Sequence, residues 1–486
     1  LRIDGSIDQL AGFDYPDRVL AEWKINFSQG LNALQTEAVN EFRVLDGQSL
    51  LVVAPTSSGK TVIGEMAAVR AVIAGRKAVF LLPYRALVNE KYEQFDALYG
   101  GLGMRVIRCT GDYSDQTSGF IRGQYDIGIL TYEMFLNLAV SNPAILNQLG
   151  LVVLDEAQFI TDPNRGISVE LLLTLLIAAR ERGISPQLVV LSAVISNING
   201  FDEWLGCRKL ISTERPVPLI EGVIDRTGIF QFLDEQGKPG TTQLLPPGSV
   251  RLRKDKPSAQ DLIVPLVRQL VAAKERVIVF RNQRGMAQGC ARYLADELGL
   301  PPARSSLTQL PNHDISSTSA ALRECLSGGT AFHNTNLTRE EKAVVEQAYR
   351  DPKGEIAVLA ATTTVAAGIN TPASTVILAE QEFIGDDGRP FTIAEYKNMA
   401  GRAGRLGFNE KGKSIIYAEN SFDRDRLFRQ YVNGDAVHFR ENYDSEGVPA
   451  FNFDRAQTVA SVERPYLRWG ISMRHSPLAY AGKQLK

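Results

Sequence analysis

Near-continuous apolar runs recur through the first half of the chain, at Leu50–Val53, Lys77–Leu82, Val106–Cys109, Ile127–Leu130, Leu151–Leu154 and Leu188–Leu191. A strand with one face in water alternates apolar and polar residues, so unbroken runs predict strands covered on both faces, as in a parallel sheet flanked by helices. Most of these runs end in small or polar residues (Pro83–Leu87, Thr110–Asp112, Thr131–Met134, Asp155–Gln158, Ser192–Val194), with helical sequence following. Such sheets bind ligands outside the carboxyl ends of their strands, so the chemistry is expected there. A Gly- and Pro-rich stretch, Glu235–Pro257, reads as loop or linker. A second round of the same pattern follows, with strands at Val277–Phe280, Glu355–Ala360 and Val376–Leu378, and with Gly329–His333 leading into a helix from about Thr338 whose Glu341 completes a capping box. The reading is an α/β chain of two tandem domains with parallel sheets and an incomplete C-terminal extension. Residues 1–29 form an N-terminal segment anchored by Phe13, Tyr15, Trp23 and Phe27. Residues 30–215 and 216–420 form the two domains, and 421–486 carry no assignment.

Composition changes this picture little. The 486 residues are 44% apolar and 22% charged, with a net charge of −2, as in ordinary globular proteins. The chain has no bulk attraction for phosphate, so any nucleic-acid site must be a local basic groove. Four dispersed cysteines (Cys109, Cys207, Cys290, Cys325) without a CxxC pair argue against zinc, iron–sulfur and disulfide frameworks. They read as reduced thiols of a cytoplasmic (or, in a eukaryote, nuclear) protein. No apolar run is long enough to span a membrane, no membrane partner is expected, and the opening LRIDGSID has no signal-peptide pattern.

The chemistry concentrates at three places. After the first apolar run comes Ala54-Pro55-Thr56-Ser57-Ser58-Gly59-Lys60-Thr61, then a helical pattern. Strand, small-residue loop and helix in that order make a phosphate-binding loop: backbone N–H groups of Thr56 to Gly59 face the phosphates and the helix N-terminus adds positive potential. Lys60 would reach the β and γ phosphates, and Thr61 would place its hydroxyl on Mg²⁺. Ala54 stands where the general pattern has glycine. The second place is Asp155-Glu156, behind another buried strand. An Asp there holds the metal and the adjacent Glu takes a proton from the attacking water, although a lone Asp-Glu pair is also a common helix start. The third is Arg402 and Arg405 in Gly401-Arg402-Ala403-Gly404-Arg405, which a helix would present on one face toward a γ-phosphate. Gln35 opens a helix and has the donor and acceptor that match an adenine edge, though a solvent-facing glutamine is the plainer reading of that residue alone.

Taken in order, APTSSGKT, LLPYRALV, TGDY, DEAQ, SAV, VIVF, AFHNTNLTREE, ATTTVAAGIN and NMAGRAGRLG resemble the superfamily 2 helicases, and within them the Ski-like DExH branch of exosome-associated RNA helicases and DNA fork-processing helicases. The resemblance implies two RecA-like domains with ATP and Mg²⁺ in the cleft between them. Gln35 would contact adenine, and Gly368 would lie at the nucleotide. Thr61 and Asp155 would hold the metal, Glu156 would act as base, and Arg402 and Arg405 would act as arginine fingers. Arg85, Thr110, Gly111 and Thr131 of the first domain, with Thr362, Thr363 and Asn370 of the second, would meet the nucleic-acid backbone. The resemblance also implies a strand-separating hairpin between Gln381 and Phe391, where Asp387-Gly388 is a turn signal and Phe383 and Phe391 would stack on a base at the duplex end, although a plain connecting loop fits the same residues. Three coupling residues depart from the pattern: Gln158 replaces His, Val194 replaces Thr and Asn398 replaces Gln.

The function expected is an ATP-driven helicase or translocase on single-stranded DNA or RNA or on tailed duplexes, with the 3′ to 5′ polarity that the resemblance implies. The alternative is a nucleotide-gated clamp with ATPase and little unwinding, for which the altered coupling residues speak. A simple P-loop NTPase is disfavoured by the arginine pair and the second domain. DNA repair or anti-phage defence with a nuclease partner is a further expectation.

Overall fold

The computed structural model describes residues 1–433 apart from 56–57, 112–114, 163–164, 194–199, 215–216, 254–256, 313–315, 352–353, 363–372, 383–389, 392 and 405–410. The chain forms two compact units, Leu1–Glu214 and Arg215–Ala436.

In the first unit, β1 (Leu50–Val53), β2 (Lys77–Leu82), β3 (Val106–Cys109), β4 (Ile127–Thr131), β5 (Leu149–Leu154), β6 (Gln187–Ser192) and β7 (Arg208–Ile211) form one sheet in the order β3-β4-β2-β5-β6-β1-β7. Every pairing is parallel. The unbroken runs are buried on both sheet faces, and a separate apolar cluster covers each face. The sequence did not mark β7. It is an edge strand in which only Leu210 is buried, so it has no apolar run to betray it.

Helix Lys60–Ile73 packs on this sheet through a glycine. A Cβ on Gly64 would lie 2.8 Å from Val153 Cγ1 and 3.4 Å from Phe80 Cε1. Glycine costs a helix interior about 1 kcal/mol relative to Ala, yet here it lets helix and strands approach. Gly64→Ala is therefore expected to lower Tm, since about 1–3 kcal/mol of overpacking outweighs the gain in propensity; an unchanged or raised Tm would show that the sheet yields.

The N-terminal segment packs against the same helix. Phe13, Tyr15 and Trp23 are buried as expected, and Phe27 is half-buried. The Tyr15 hydroxyl donates to the Met66 carbonyl at 2.8 Å. Trp23 Nε1 donates to Tyr99 Oη at 2.8 Å, and Tyr99 donates to Glu65 Oε1 at 2.5 Å. Burial pushes the Glu65 carboxyl above the usual range, with Lys91 and the Tyr99 hydrogen bond opposing. A raised folded-state pKa means a stability contribution present below the ordinary Glu value and lost as pH rises through the folded value. Glu65→Gln keeps an acceptor for Tyr99 without a charge to bury. Its Tm advantage over wild type is expected to widen as pH rises from about 4 toward neutrality, starting near the ordinary Glu value; a pH-independent difference would contradict this.

The second unit holds β8 (Leu219–Ile224), β9 (Ile229–Leu233), β10 (Pro239–Gln243), β11 (Val277–Arg281), β12 (Thr330–His333), β13 (Val358–Thr362), β14 (Thr375–Leu378) and β15 (Gly412–Tyr417) in the order β10-β9-β8-β15-β14-β11-β13-β12. From β8 to β12 the pairing is parallel, while β9 and β10 extend the sheet antiparallel. Part of the stretch expected to be linker is thus strand β10, which is largely exposed. The helix Arg339–Arg350 has the predicted capping box, with Thr338 accepting from Glu341 N–H and Glu341 accepting from Thr338 N–H. The α/β architecture with two sheets of RecA-like type is that expected. Among the described residues no helix is long and apolar enough to cross a membrane.

Candidate functional site

The site of the first unit is built where β1, β5 and β6 end. Ala54 continues β1 and its N–H donates to Ser192 O at 3.1 Å. Gly59 adopts φ +81°, a backbone that L side chains rarely take, and a Cβ there would lie 2.5 Å from Gln35 Nε2. Both facts require glycine at the helix entrance. The helix Lys60–Ile73 starts immediately after, so its unpaired N–H groups face the loop. Lys60 is buried and folds back, donating to Pro55 O at 3.4 Å. The Ser58 hydroxyl is buried with no hydrogen-bond partner among the described residues. Thr56 and Ser57 lie outside the described residues.

Gln35 is 5% exposed, which removes the solvent-facing reading. Asn32 and Gln35 form a capping box on the helix Ala33–Asn40, and the same two amides reach the phosphate loop. Asn32 Nδ2 donates to Ser58 O at 2.8 Å and Gln35 Nε2 to Gly59 O at 3.0 Å. These two bonds hold the Ser58 and Gly59 carbonyls of the loop on the side of this helix. Gln35 retains one N–H and one lone pair for a base edge. Sequence reasoning passed over Asn32, although Asn-x-x-Gln before an apolar run is a capping signature.

The acidic pair stands opposite the lysine. Thr61 Oγ1 donates to Asp155 Oδ2 at 3.1 Å, and Glu156 N–H donates to Asp155 Oδ1 at 2.9 Å. Burial, then the neighbouring Glu156, push the Asp155 carboxyl above its ordinary range, with Lys60 opposing. A buried acceptor-only carboxylate beside a hydroxyl is the oxygen donor set a small divalent cation takes, and bound cations reverse that upward pressure. The residues present therefore fit Mg²⁺. Glu156 sits at φ 58°, in the left-handed region, where a non-glycine residue costs roughly 1–3 kcal/mol. The turn after it holds that conformation. Tyr132 Oη donates to the Asp155 carbonyl, and Phe159 N–H donates to the Glu156 carbonyl at 2.9 Å. Gln158 Nε2 donates to Glu156 Oε2, and its Oε1 accepts from Ser192 Oγ at 3.2 Å and Ala193 N–H at 2.9 Å. Gln158, the residue that departs from the family pattern, thus ties the acidic turn to the end of β6. Val194 lies outside the described residues.

At the neighbouring strand ends, Arg85 begins the helix Arg85–Tyr99, and a Cβ on Gly111 would lie 2.8 Å from Arg85 Nη2, so these two expected residues do meet. The Thr110 hydroxyl is buried without a partner among the described residues. The Thr131 hydroxyl caps the helix Tyr132–Ser141 by accepting from Met134 N–H at 3.3 Å.

In the second unit Thr362 is buried at the end of β13, in register with Arg281. Two expectations change. The helix Ile393–Ala400 ends before Arg402, so Arg402 does not stand on a helical face. Ala403 instead bridges Ala373, and Gly404 takes φ +101° with its N–H on Ala373 O at 2.7 Å. This explains the glycine that a helix would not tolerate cheaply. The second change concerns Phe391. The ends of its segment are paired, since Glu382 and Pro390 form an antiparallel bridge and Phe391 N–H donates to Gln381 O at 2.8 Å. But Phe391 itself is 4% exposed in the core of this unit, with its carbonyl accepting from Tyr431. Packing takes the ring that was expected to stack on a base. Thr363, Gly368, Asn370, Phe383 and Arg405 lie outside the described residues, whereas Asn398 falls within the helix Ile393–Ala400.

Comparison with known proteins follows the same division. Residues 32–201 match the DEAD/DEAH box helicase model and residues 261–407 the Helicase conserved C-terminal domain. The ATP-dependent DNA helicase Hel308 of Pyrobaculum calidifontis is 33% identical over 422 residues, covering 85% of this chain and 56% of that protein. Those of Methanocella arvoryzae and Thermoplasma volcanium are 32% identical over 449 and 400 residues, 89% and 82% of this chain and 56% and 54% of theirs. The chain thus spans about half the length of the curated relatives it matches. It carries the paired DEAD/DEAH box and C-terminal domains of a superfamily 2 helicase.

Proposed function

We propose that this chain is the motor part of an ATP-dependent DNA helicase related to Hel308, within the Ski-like DExH branch, translocating 3′ to 5′ along a single strand. The observation that carries the reading is the continuous set of bonds from Thr61 through Asp155 and Glu156 to Gln158, Ser192 and Ala193. It joins a phosphate loop, a metal-and-base pair and a third strand end in one unit, as a motor needs and a passive nucleotide binder does not. Lys60 and the first N–H groups of the helix bind the triphosphate, and Gln35 offers its remaining amide valences to the base. Thr61 and Asp155 hold Mg²⁺, which supplies charge neutralisation at the phosphates. Glu156 accepts the proton of the attacking water, with Gln158 fixing its carboxylate. Arg402 and Arg405 serve as the arginines that stabilise charge on the transferring phosphoryl group. Arg85, Thr110, Gly111, Thr131, Thr362, Thr363 and Asn370 contact the strand's backbone, which positions it without reading sequence. DNA as the substrate rests on the relatives' names, and DNA repair is the setting that fits them.

The test is unwinding of 3′-tailed DNA and RNA duplexes side by side, together with ATPase measured with and without single strands. Stimulated hydrolysis with unwinding of the DNA substrate is expected. Stimulation without unwinding would favour a nucleotide-gated clamp, and unstimulated hydrolysis would overturn both readings.

A further inference from the structure

Arg165 begins the helix Gly166–Ala179 as its N-cap and has no place in the chemistry above. Its side chain nevertheless joins three separate strand-end loops. Nε and Nη2 reach Glu133 Oε1 at 2.8 and 2.7 Å, and Nη2 also donates to the Pro83 carbonyl at 2.6 Å. Its guanidinium carbon lies 4.9 Å from the ring centre of Phe159 and 5.4 Å from that of Tyr84. Those two rings meet edge-on at 5.5 Å. Its own N–H is held by Asp162 Oδ1 at 2.8 Å, which fixes the backbone from which it reaches out.

The partners fall into two sets. Pro83 and Tyr84 immediately precede Arg85, and Glu133 follows Thr131 by two residues. Arg85 and Thr131 are the residues assigned above to the strand's backbone. Phe159 belongs to the turn that opens at Glu156 and bonds back to the Glu156 carbonyl. Tyr132, between Thr131 and Glu133, packs its ring 5.9 Å from Phe159 and donates to the Asp155 carbonyl. One guanidinium, with its planar fork and flat faces, thus touches the nucleic-acid loops by its edge and the hydrolytic turn by its face. A lysine has the charge but neither the fork nor the face.

We propose that Arg165 is a positioning residue that ties the nucleic-acid loops of the first unit to the turn carrying Glu156, so that strand binding orders the general base. This rests on the function proposed above. When the strand fixes Arg85 and Thr131, it fixes Pro83 and Glu133, and through Arg165 the ring of Phe159. Without the strand the same contacts are made but are free to shift with their loops.

The test compares wild type with Arg165→Gln, Arg165→Lys, Glu133→Gln and the double variant Arg165→Gln/Glu133→Gln. The readouts are basal ATPase, the single-strand concentration giving half-maximal stimulation, binding of a labelled oligothymidine without ATP, and binding of a fluorescent ATP analogue. Arg165→Gln is expected to raise the half-maximal concentration and weaken oligonucleotide binding by about tenfold, since charged hydrogen bonds are lost. Basal ATPase and analogue binding should stay at wild-type levels. Arg165→Lys should fall between, and the double variant should be no worse than Arg165→Gln, as expected of residues acting as one contact. Equal loss of basal hydrolysis, analogue binding and oligonucleotide binding would show Arg165 merely holding the unit together and overturn the proposal. A wild-type chain that binds the oligonucleotide but is not stimulated overturns the motor reading instead. The Arg165 proposal is then decided by binding alone, and an unchanged affinity in Arg165→Gln sinks it.

Discussion

Glu156→Gln is expected to lower ATP turnover by about 10²–10⁴-fold, the usual contribution of a positioned general base, while a fluorescent ATP analogue still binds. The amide keeps the shape of the carboxylate, leaves the left-handed backbone of the turn in place and still accepts from Gln158. What it loses is the capacity to take a proton from water. Single-turnover hydrolysis measured beside equilibrium binding separates the two quantities. A parallel fall in both would mean that Glu156 is needed to build the pocket and that the base lies elsewhere.

Lys60→Ala is expected to act on the other quantity, weakening nucleotide binding by at least about 10²-fold, because a buried charge facing phosphates is removed. The loss is compounded inside the protein. Lys60 is the cation that opposes the upward pressure of burial and of Glu156 on the Asp155 carboxyl. Without it the acidic pair faces the triphosphate with less compensation, so metal-dependent binding should suffer as well. Titration of ATP with and without Mg²⁺ into both variants gives the comparison: Glu156→Gln binds and does not turn over, Lys60→Ala does neither. Wild-type affinity in Lys60→Ala would remove the loop from the site.

How much of this was legible in the sequence depends on what each residue had to do alone. Strands β1 to β6 announce themselves because each must be apolar on both faces. The glycine and lysine of the loop are legible because only those residue types serve a helix entrance that holds phosphate. Strand β7 is silent, since an edge strand with one buried side chain has no pattern to show. The hairpin of β9 and β10 lay inside or beside sequence whose Gly and Pro suggested linker. A shared face for Arg402 and its neighbour depended on the segment being helix, against which its two glycines spoke; Gly404 is there for a left-handed backbone and a bond to Ala373, and the helix stops at Ala400. Phe391 was read as an exposed ring because it follows a turn signal, whereas the fold uses it as core. Tyr132 and Arg165 were invisible for a different reason. Their partners are backbone carbonyls, rings and, for Arg165, the Glu133 carboxylate, distant in sequence, and only the fold brings them together.

Gln158 carries a last consequence. A histidine in its place would be neutral or cationic depending on conditions between about pH 5 and 8, and with each proton gained or lost it would exchange an acceptor for a donor. The amide has no such proton. Its one acceptor stays on Ser192 and Ala193 and its N–H stays on Glu156 throughout that range. The joint between Glu156 and the end of β6 therefore keeps a constant hydrogen-bond polarity.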